Sequence, residues 1–75
     1  MKYFLLFGWA LFLSFSASSQ TAAYFYDNGM AQTEAQEYEL SIRSFTEAIN
    51  LNPDYAEAYY QRGFSEMMLQ EIANA

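Results

Sequence analysis

The sequence predicts an all-α fold, an antiparallel pair of helices followed by one further helix. After residue 20, apolar residues recur every three or four positions, and no comparable stretch shows the strict alternation of a β-strand. Pro53, the only proline, lacks an amide hydrogen, so a helix is expected to end near Leu51. The chain of 75 residues leaves room for one small domain.

The strongest helical pattern lies between residues 37 and 51. Its apolar residues are separated by four, three and four positions, which places them on one stripe of a helix. Ser41 and Ala48 flank this stripe with small side chains, and charged residues fall on the opposite, solvated side. The residues of the stripe are Tyr38, Ile42, Phe45 and Ile49.

Two further helices are expected on either side of this one. A helix over 22–32 would be followed by a polar turn at 33–36. A third helix would cover 56–70, with Asp54 as its N-cap and Glu57 three positions later, the spacing of a capping box.

The N-terminal segment has a different composition from the rest. Lys2 is the only charged residue among the first twenty, and an uncharged, mostly apolar run follows over 3–15. Small and polar residues come next, in an A-x-A-like order that ends at Ser19. This three-part order predicts a secretory signal peptide over 1–19 and a mature module over 20–75, which would be periplasmic or secreted.

The alternative for the N-terminal segment is an uncleaved membrane anchor. Its apolar run is about 13 residues long, whereas a bilayer core needs roughly 20. No cluster of lysine and arginine follows the run as a stop-transfer flank. If the segment were retained, the protein would be a membrane-anchored assembly or scaffold subunit.

Composition argues against several classes of function. Residues 20–75 hold two arginines and nine acidic residues, which gives them a net charge of −7. Nucleic acid is therefore not an expected partner. Membrane contact is expected only through the N-terminal segment. The absence of cysteine and histidine removes thiolate, imidazole and zinc-type chemistry. The neighbouring carboxylates Glu34, Glu37 and Glu39 fit a solvated face better than a catalytic cleft. We therefore expect no enzymatic activity, no cofactor and no metal.

Two stretches of the chain resemble each other at an offset of 34 residues. The segment AAYFYDNG over 22–29 aligns with AEAYYQRG over 56–63. Each begins with alanine, contains two consecutive aromatic residues, and ends with a glycine three residues after the second aromatic. An offset of this length indicates a helical repeat. The offset pairs Phe25 with Tyr59, Tyr26 with Tyr60, and Gly29 with Gly63.

With this period, the chain resembles the tetratricopeptide repeat (TPR) family. The phrase FTEAINLNP over 45–53 is especially characteristic of that family. The resemblance implies about one and a half repeats of an α-solenoid, a full repeat over 22–55 and a partial one over 56–75. The residues that match the family pattern are Phe25, Gly29, Tyr38, Ser41, Phe45, Ala48, Pro53, Tyr59 and Gly63.

Two positions of the first helix depart from the family pattern. Asn28 stands where a leucine-like residue is usual, and Gln32 stands where an aromatic residue is usual. We therefore expect the first helix to pack loosely.

The resemblance also implies a protein- or peptide-binding role, because the first helix of each TPR hairpin lines a concave groove that holds a peptide. No lysine or arginine stands at the groove positions, so a partner with an apolar or mildly basic segment is expected. The alternative for these side chains is ordinary packing against a neighbouring helix. The candidate partner-binding residues are Tyr26, Met30, Tyr60, Phe64 and Met67.

So short an array is expected to leave part of its third helix uncovered, since such repeats need about three copies to bury a continuous core. Three outcomes would cover that helix: self-association, docking onto a partner, or further repeats of a longer parent chain, which we favour. The sequence thus predicts an exported TPR interaction module, with the membrane-anchored subunit as the alternative. The residues expected to be partly exposed are Tyr59, Tyr60, Phe64, Met67 and Met68.

Overall fold

The computed structural model describes residues 20–74, which form three α-helices joined by two short turns. The described part of helix α1 covers 20–34, α2 covers Tyr38–Leu51, and α3 covers Ala56–Asn74. No strand occurs within this part of the chain. The predicted all-α fold, a helical hairpin plus one further helix, is confirmed. The signal peptide predicted over 1–19 lies outside the described residues.

The turn between α1 and α2 is a Schellman motif. The Gln36 amide donates to the Thr33 carbonyl oxygen at 3.0 Å, and the Glu37 amide donates to the Gln32 carbonyl oxygen at 2.8 Å. These bonds satisfy two carbonyl groups that the end of α1 would otherwise leave unpaired. They require the left-handed conformation at Gln36, which has a φ of 62°. Glycine is the usual residue at such a position, so Gln36 holds a conformation that its Cβ disfavours.

The turn between α2 and α3 corrects one prediction. Asp54 is not the N-cap of α3, because the helix begins at Ala56. The first hydrogen bonds of the helix are accepted by the Tyr55 carbonyl oxygen, and one of them comes from the Tyr59 amide at 3.3 Å. The Asp54 amide instead donates to Oδ1 of Asn52 at 3.2 Å. Asn52 therefore orders this turn through its side chain and leaves Asp54 one position outside the cap.

The core is centred on Phe45, which is fully buried on α2. Ala48 and Ile49 of α2 and Ala58 of α3 complete the buried cluster, so the start of α3 belongs to the same core as the hairpin. Burial of a phenylalanine side chain stabilises a fold by about 1.5–3 kcal/mol. Four partly buried side chains pack against this cluster: Phe25, Tyr26, Met30 and Tyr55.

The predicted apolar stripe of α2 is confirmed with one shift. Three of its four residues are buried, whereas Ile42 is only half-buried. Ser41 and Ala48, which the sequence placed at the flanks, are both 0 % exposed. The centre of the buried face therefore includes small residues, which let other helices come close to α2.

The expected loose packing of α1 is wrong at Gln32. Its side-chain amide lies 2.6 Å from Oγ of Ser44 on α2. When the amide nitrogen is directed towards α2, it also lies 3.1 Å from the carbonyl oxygen of Leu40 and 3.3 Å from that of Asn28. A polar bridge between α1 and α2 thus takes the place of the aromatic contact that is usual in the family.

Candidate partner-binding face

Helix α3 packs against the hairpin through small residues. Ala58 and Ser65 are both 0 % exposed, and they lie seven positions apart, on the same side of the helix. Small side chains allow α3 to approach α1 and α2 closely. This packing turns the aromatic residues of α3 towards solvent.

A buried cluster of hydroxyl groups joins all three helices at Ser65. Its Oγ lies 2.7 Å from Ser41 Oγ on α2 and 3.3 Å from Thr33 Oγ1 on α1. Thr33 also donates to the Gly29 carbonyl oxygen at 2.9 Å, and Ser41 donates to the Tyr38 carbonyl oxygen at 2.8 Å. Since each hydroxyl has one proton, Ser41 donates either to Ser65 or to the Tyr38 carbonyl oxygen, and the three hydroxyl groups share three protons among these four contacts. Among the described residues, every buried side-chain nitrogen and oxygen has a hydrogen-bond partner.

Arg62 adds a contact at the edge of the α2–α3 interface. Its Nη1 donates to Thr46 Oγ1 on α2 at 3.3 Å. The guanidinium carbon also lies 5.4 Å from the centroid of the Tyr59 ring, within cation–π range. Arg62 therefore links α2 to one edge of the outward surface of α3.

The two predicted binding residues of α1 are partly engaged within the fold. Tyr26 and Met30 are half-buried against the core. The Tyr26 ring stacks on Tyr55, with centroids 5.1 Å apart, and lies 5.6 Å from the Phe45 ring. Burial in this group, together with the neighbouring Tyr26 hydroxyl, raises the pKa of the Tyr55 phenol.

The three predicted binding residues of α3 lie on its outer side. Tyr60, Phe64 and Met67 are exposed by 72 %, 37 % and 54 %. Together with Tyr59 and Gly63 they line an open groove along the helix. We call these five residues the α3 face. No neighbouring atom lies within 4 Å of the position that a Cβ on Gly63 would occupy, so the centre of this face is open.

The offset of 34 relates the α3 face to the side of α1 that meets the hairpin core. Gly29, the equivalent of Gly63, is buried, and a Cβ there would lie 2.6 Å from Cε1 of Phe45. Phe25, the equivalent of Tyr59, packs against the core cluster. The side of the helix that carries this pattern is therefore packed against α2 in the first repeat. The equivalent side of α3 is exposed to solvent within the described part of the second repeat.

The residues that hold α3 in place were not singled out by the sequence pattern. Ala58 and Ser65 give little hydrophobic signal, whereas the aromatic residues of α3 dominate its periodicity. The recurrence of small residues seven positions apart was the available indication of a packing face. Arg62 had no signal of its own, because its contacts depend on how α3 crosses α2.

The charged residues of the described part do not form a metal cluster. No group of three or more His, Cys, Asp or Glu side chains between 20 and 74 is placed to hold a metal ion. The carboxylates Glu34, Glu37 and Glu39 are exposed. Over the same residues, no helix combines the length and the apolar character that a membrane span requires.

These features define a helical-repeat protein with an open apolar face on its last described helix. A family model described as TPR repeat matches residues 29–69, more than half of the chain. The chain belongs to the TPR repeat family, whose members typically act as non-catalytic protein-interaction modules. The matched segment includes Gly29, Phe45 and Gly63. Comparison with curated proteins and with solved structures found no match.

Proposed function

We propose that this protein is an exported, non-catalytic TPR module that binds a partner protein through the α3 face, with Tyr26 and Met30 of α1 contributing to the same site. The observation that carries the proposal is the contiguous exposed apolar surface on α3, a helix whose other side is fixed to the hairpin core. Contiguous apolar patches on small proteins mark interaction sites.

The side chains of the α3 face suit a protein ligand. Tyr60 and Phe64 offer rigid aromatic surface, and Met67 offers an adaptable thioether that follows the shape of what it contacts. Glu66 and Glu71 are exposed on the same helix and stand beside this apolar surface by helical periodicity. The expected partner segment is therefore apolar with basic residues at its edges.

A photo-crosslinking experiment tests the binding site. A photoreactive amino acid placed at Tyr60 or at Met67, in cells that make the protein, is expected to form an adduct with one partner protein. The control position is Leu40, which is 43 % exposed on α2 and lies outside the α3 face. Equal adducts from Leu40, or none from the α3 face, would contradict the proposed binding site.

Export is supported by the order of features before residue 20, a positive charge, an apolar run and a small-residue exit. Intact mass measurement of the exported protein tests it. A mature chain that begins near Gln20, at this residue or one or two residues earlier, is the expected result. Met1 retained on protein from the membrane fraction would instead favour the alternative, a membrane-anchored assembly subunit.

A further inference from the structure

We propose that the stacked tyrosines Tyr26 and Tyr55 form, with the two carboxylates beside them, a subsite for an arginine side chain of the partner protein. The carboxylates are those of Asp27 on α1 and Glu57 in the first turn of α3. The inference rests on the partner-binding function proposed above, and it adds the charge and the place of one partner residue.

The tyrosine pair is built on the hairpin core. The centroids of its two rings are 5.1 Å apart and the ring planes are inclined by 22°, while the Tyr26 ring also lies 5.6 Å from the Phe45 ring. Tyr55 is fixed at the start of α3, because its carbonyl oxygen accepts the amides of Ala58 at 3.1 Å and Tyr59 at 3.3 Å. Both tyrosines are only half-buried. The pair is therefore an aromatic surface that is partly open to solvent and is ordered before a ligand binds.

The electrostatic field at this pair is negative. Burial raises the pKa of the Tyr55 phenol most, and the neighbouring Tyr26 hydroxyl raises it next. The charges of Glu57 and Asp27 raise it further. The same field that disfavours a phenolate at this place favours a cation. Among residues 20–74, no hydrogen bond engages either tyrosine hydroxyl, so both can accept one from a ligand.

Within residues 20–74, the chain itself supplies no cation to these two carboxylates. The two arginines of this part are directed elsewhere. Arg62 contacts Thr46 and the Tyr59 ring, and Arg43 is exposed on the side of α2 that faces away from the core. Both carboxylates are exposed, so a positive group of another protein can reach them and complement their charge.

Arginine suits this combination of rings and carboxylates better than lysine. Its planar guanidinium stacks on an aromatic ring and carries a fork of N–H donors, which can reach a carboxylate while the plane lies on the ring. The lysine ammonium is a strongly hydrated point charge without this shape. Since Tyr26 is also one of the proposed partner-binding residues, the arginine would stand beside the apolar part of the partner segment.

A nuclear magnetic resonance titration of the isotope-labelled 75-residue chain tests the subsite. The probe is a blocked tripeptide, alanyl-arginyl-alanine, and we expect saturable shifts of the Tyr26 and Tyr55 ring protons at millimolar concentrations. A matched tripeptide with citrulline, which keeps the shape of arginine without its charge, should bind at least about fivefold more weakly. Equal affinity for the two tripeptides, or the absence of saturable shifts at these rings, would overturn the inference.

Two protein variants separate the charge of the subsite from the charge of the whole chain. Asp27→Asn/Glu57→Gln changes exposed side chains, so it should keep the helical circular dichroism spectrum. It should bind the arginine tripeptide at least about fivefold more weakly. Glu39→Gln/Glu47→Gln removes the same charge from exposed positions of α2 and should bind within about twofold of the wild-type protein. Equal weakening by the two variants would indicate a general charge effect and would overturn the subsite.

Failure of this inference and failure of the proposed function give different results. If a photoreactive residue at Tyr60 forms an adduct with a partner while the arginine tripeptide does not bind, partner binding stands and the arginine subsite is wrong. If the tripeptide binds at Tyr26 and Tyr55 while the α3 face forms no adduct, the arginine subsite is upheld and the proposed binding site on α3 is wrong.

Discussion

Gly29 and Gly63 occupy the same position in two copies of one sequence pattern, and their surroundings differ completely. Gly29 is buried beneath the Phe45 ring, whereas Gly63 is exposed in an open groove. Both nonetheless lie within regular helix. The comparison shows that the repeated residues create a surface onto which another helix can pack. The helix that carries the glycine forms whether or not that surface is covered.

The two faces also differ in what they contribute to stability. The covered face supplies the apolar core around Phe45, while α3 is held on its other side by Ala58, by the hydroxyl cluster at Ser65 and by Arg62. The aromatic residues of the α3 face remain largely in water and stabilise the free protein little. Under the proposed function, their burial stabilises a complex instead.

The largest effect is expected when the aromatic ring of Phe45 is removed from the face that α2 covers. Phe45→Ala should lower the free energy of unfolding by about 3–5 kcal/mol, since it leaves a cavity at the centre of the core. A module of this size has a total stability of similar order, so the variant should be largely unfolded. Urea unfolding followed by far-ultraviolet circular dichroism measures both quantities.

The control for this variant is Phe64→Ala on the uncovered face. Phe64 is 37 % exposed, so its truncation should lower the free energy of unfolding by about 1 kcal/mol or less. Comparable losses from the two variants would contradict the distinction between a covered and an uncovered face.

The same substitution at the two glycines should have effects of opposite sign. Gly29→Ala should destabilise the fold by about 1–3 kcal/mol, because its Cβ would overlap the Phe45 ring. Gly63→Ala should stabilise the unliganded protein by up to about 1 kcal/mol, because alanine is the better helix former and meets nothing. Thermal and urea unfolding of the two variants, side by side, check this; effects of the same sign would refute it.

The attachment of α3 depends on its small polar residue. Ser65→Ala should lower the free energy of unfolding by about 1 kcal/mol, because it removes the hydroxyl that links Ser41 and Thr33. Gln70→Ala, at an exposed position of the same helix, should change it by about 0.5 kcal/mol or less. Chemical denaturation distinguishes the two, and an unchanged stability in Ser65→Ala would mean that the hydroxyl cluster does not hold α3.

The smallest expected effect concerns the turn that leads into the covering helix. Gln36→Gly should stabilise the protein by about 0.5–1 kcal/mol, because the left-handed φ of 62° is free of a Cβ penalty in glycine. Gln61→Gly, within α3, should cost about 1 kcal/mol. A loss of stability on Gln36→Gly would show that the side chain of Gln36 matters more than its backbone conformation.

Much of the fold could be predicted because its determinants are local. The apolar spacing of α2 and the single proline after it set the hairpin and the end of its second helix. The turn details were not predictable in this way. A glycine at the left-handed position of the first turn would have indicated the Schellman motif, but the residue there is Gln36. In the second turn, the Asn52 side chain accepts a hydrogen bond from the Asp54 amide, and Asp54 is not the helix cap that its position in the sequence predicted.

The candidate site could be predicted only in part, for a different reason. The aromatic and methionine residues of α3 are conspicuous, but whether they lie in a core or in water depends on which helices are present. The packing face of α3 is made of alanine and serine, whose burial depends on contacts that are distant along the chain, such as that between Ser41 and Ser65. Local periodicity carries no information about such contacts.

The most direct test of the central claim, that the glycine of α1 is covered within the fold while the equivalent glycine of α3 is open to solvent, is nuclear magnetic resonance of the isotope-labelled 75-residue chain. We expect nuclear Overhauser contacts from the ring protons of Phe45 to the α-protons of Gly29, and contacts of the Gly63 α-protons only to residues of α3 itself. Contacts between Gly63 and another helix, or no contact between Phe45 and Gly29, would contradict the claim.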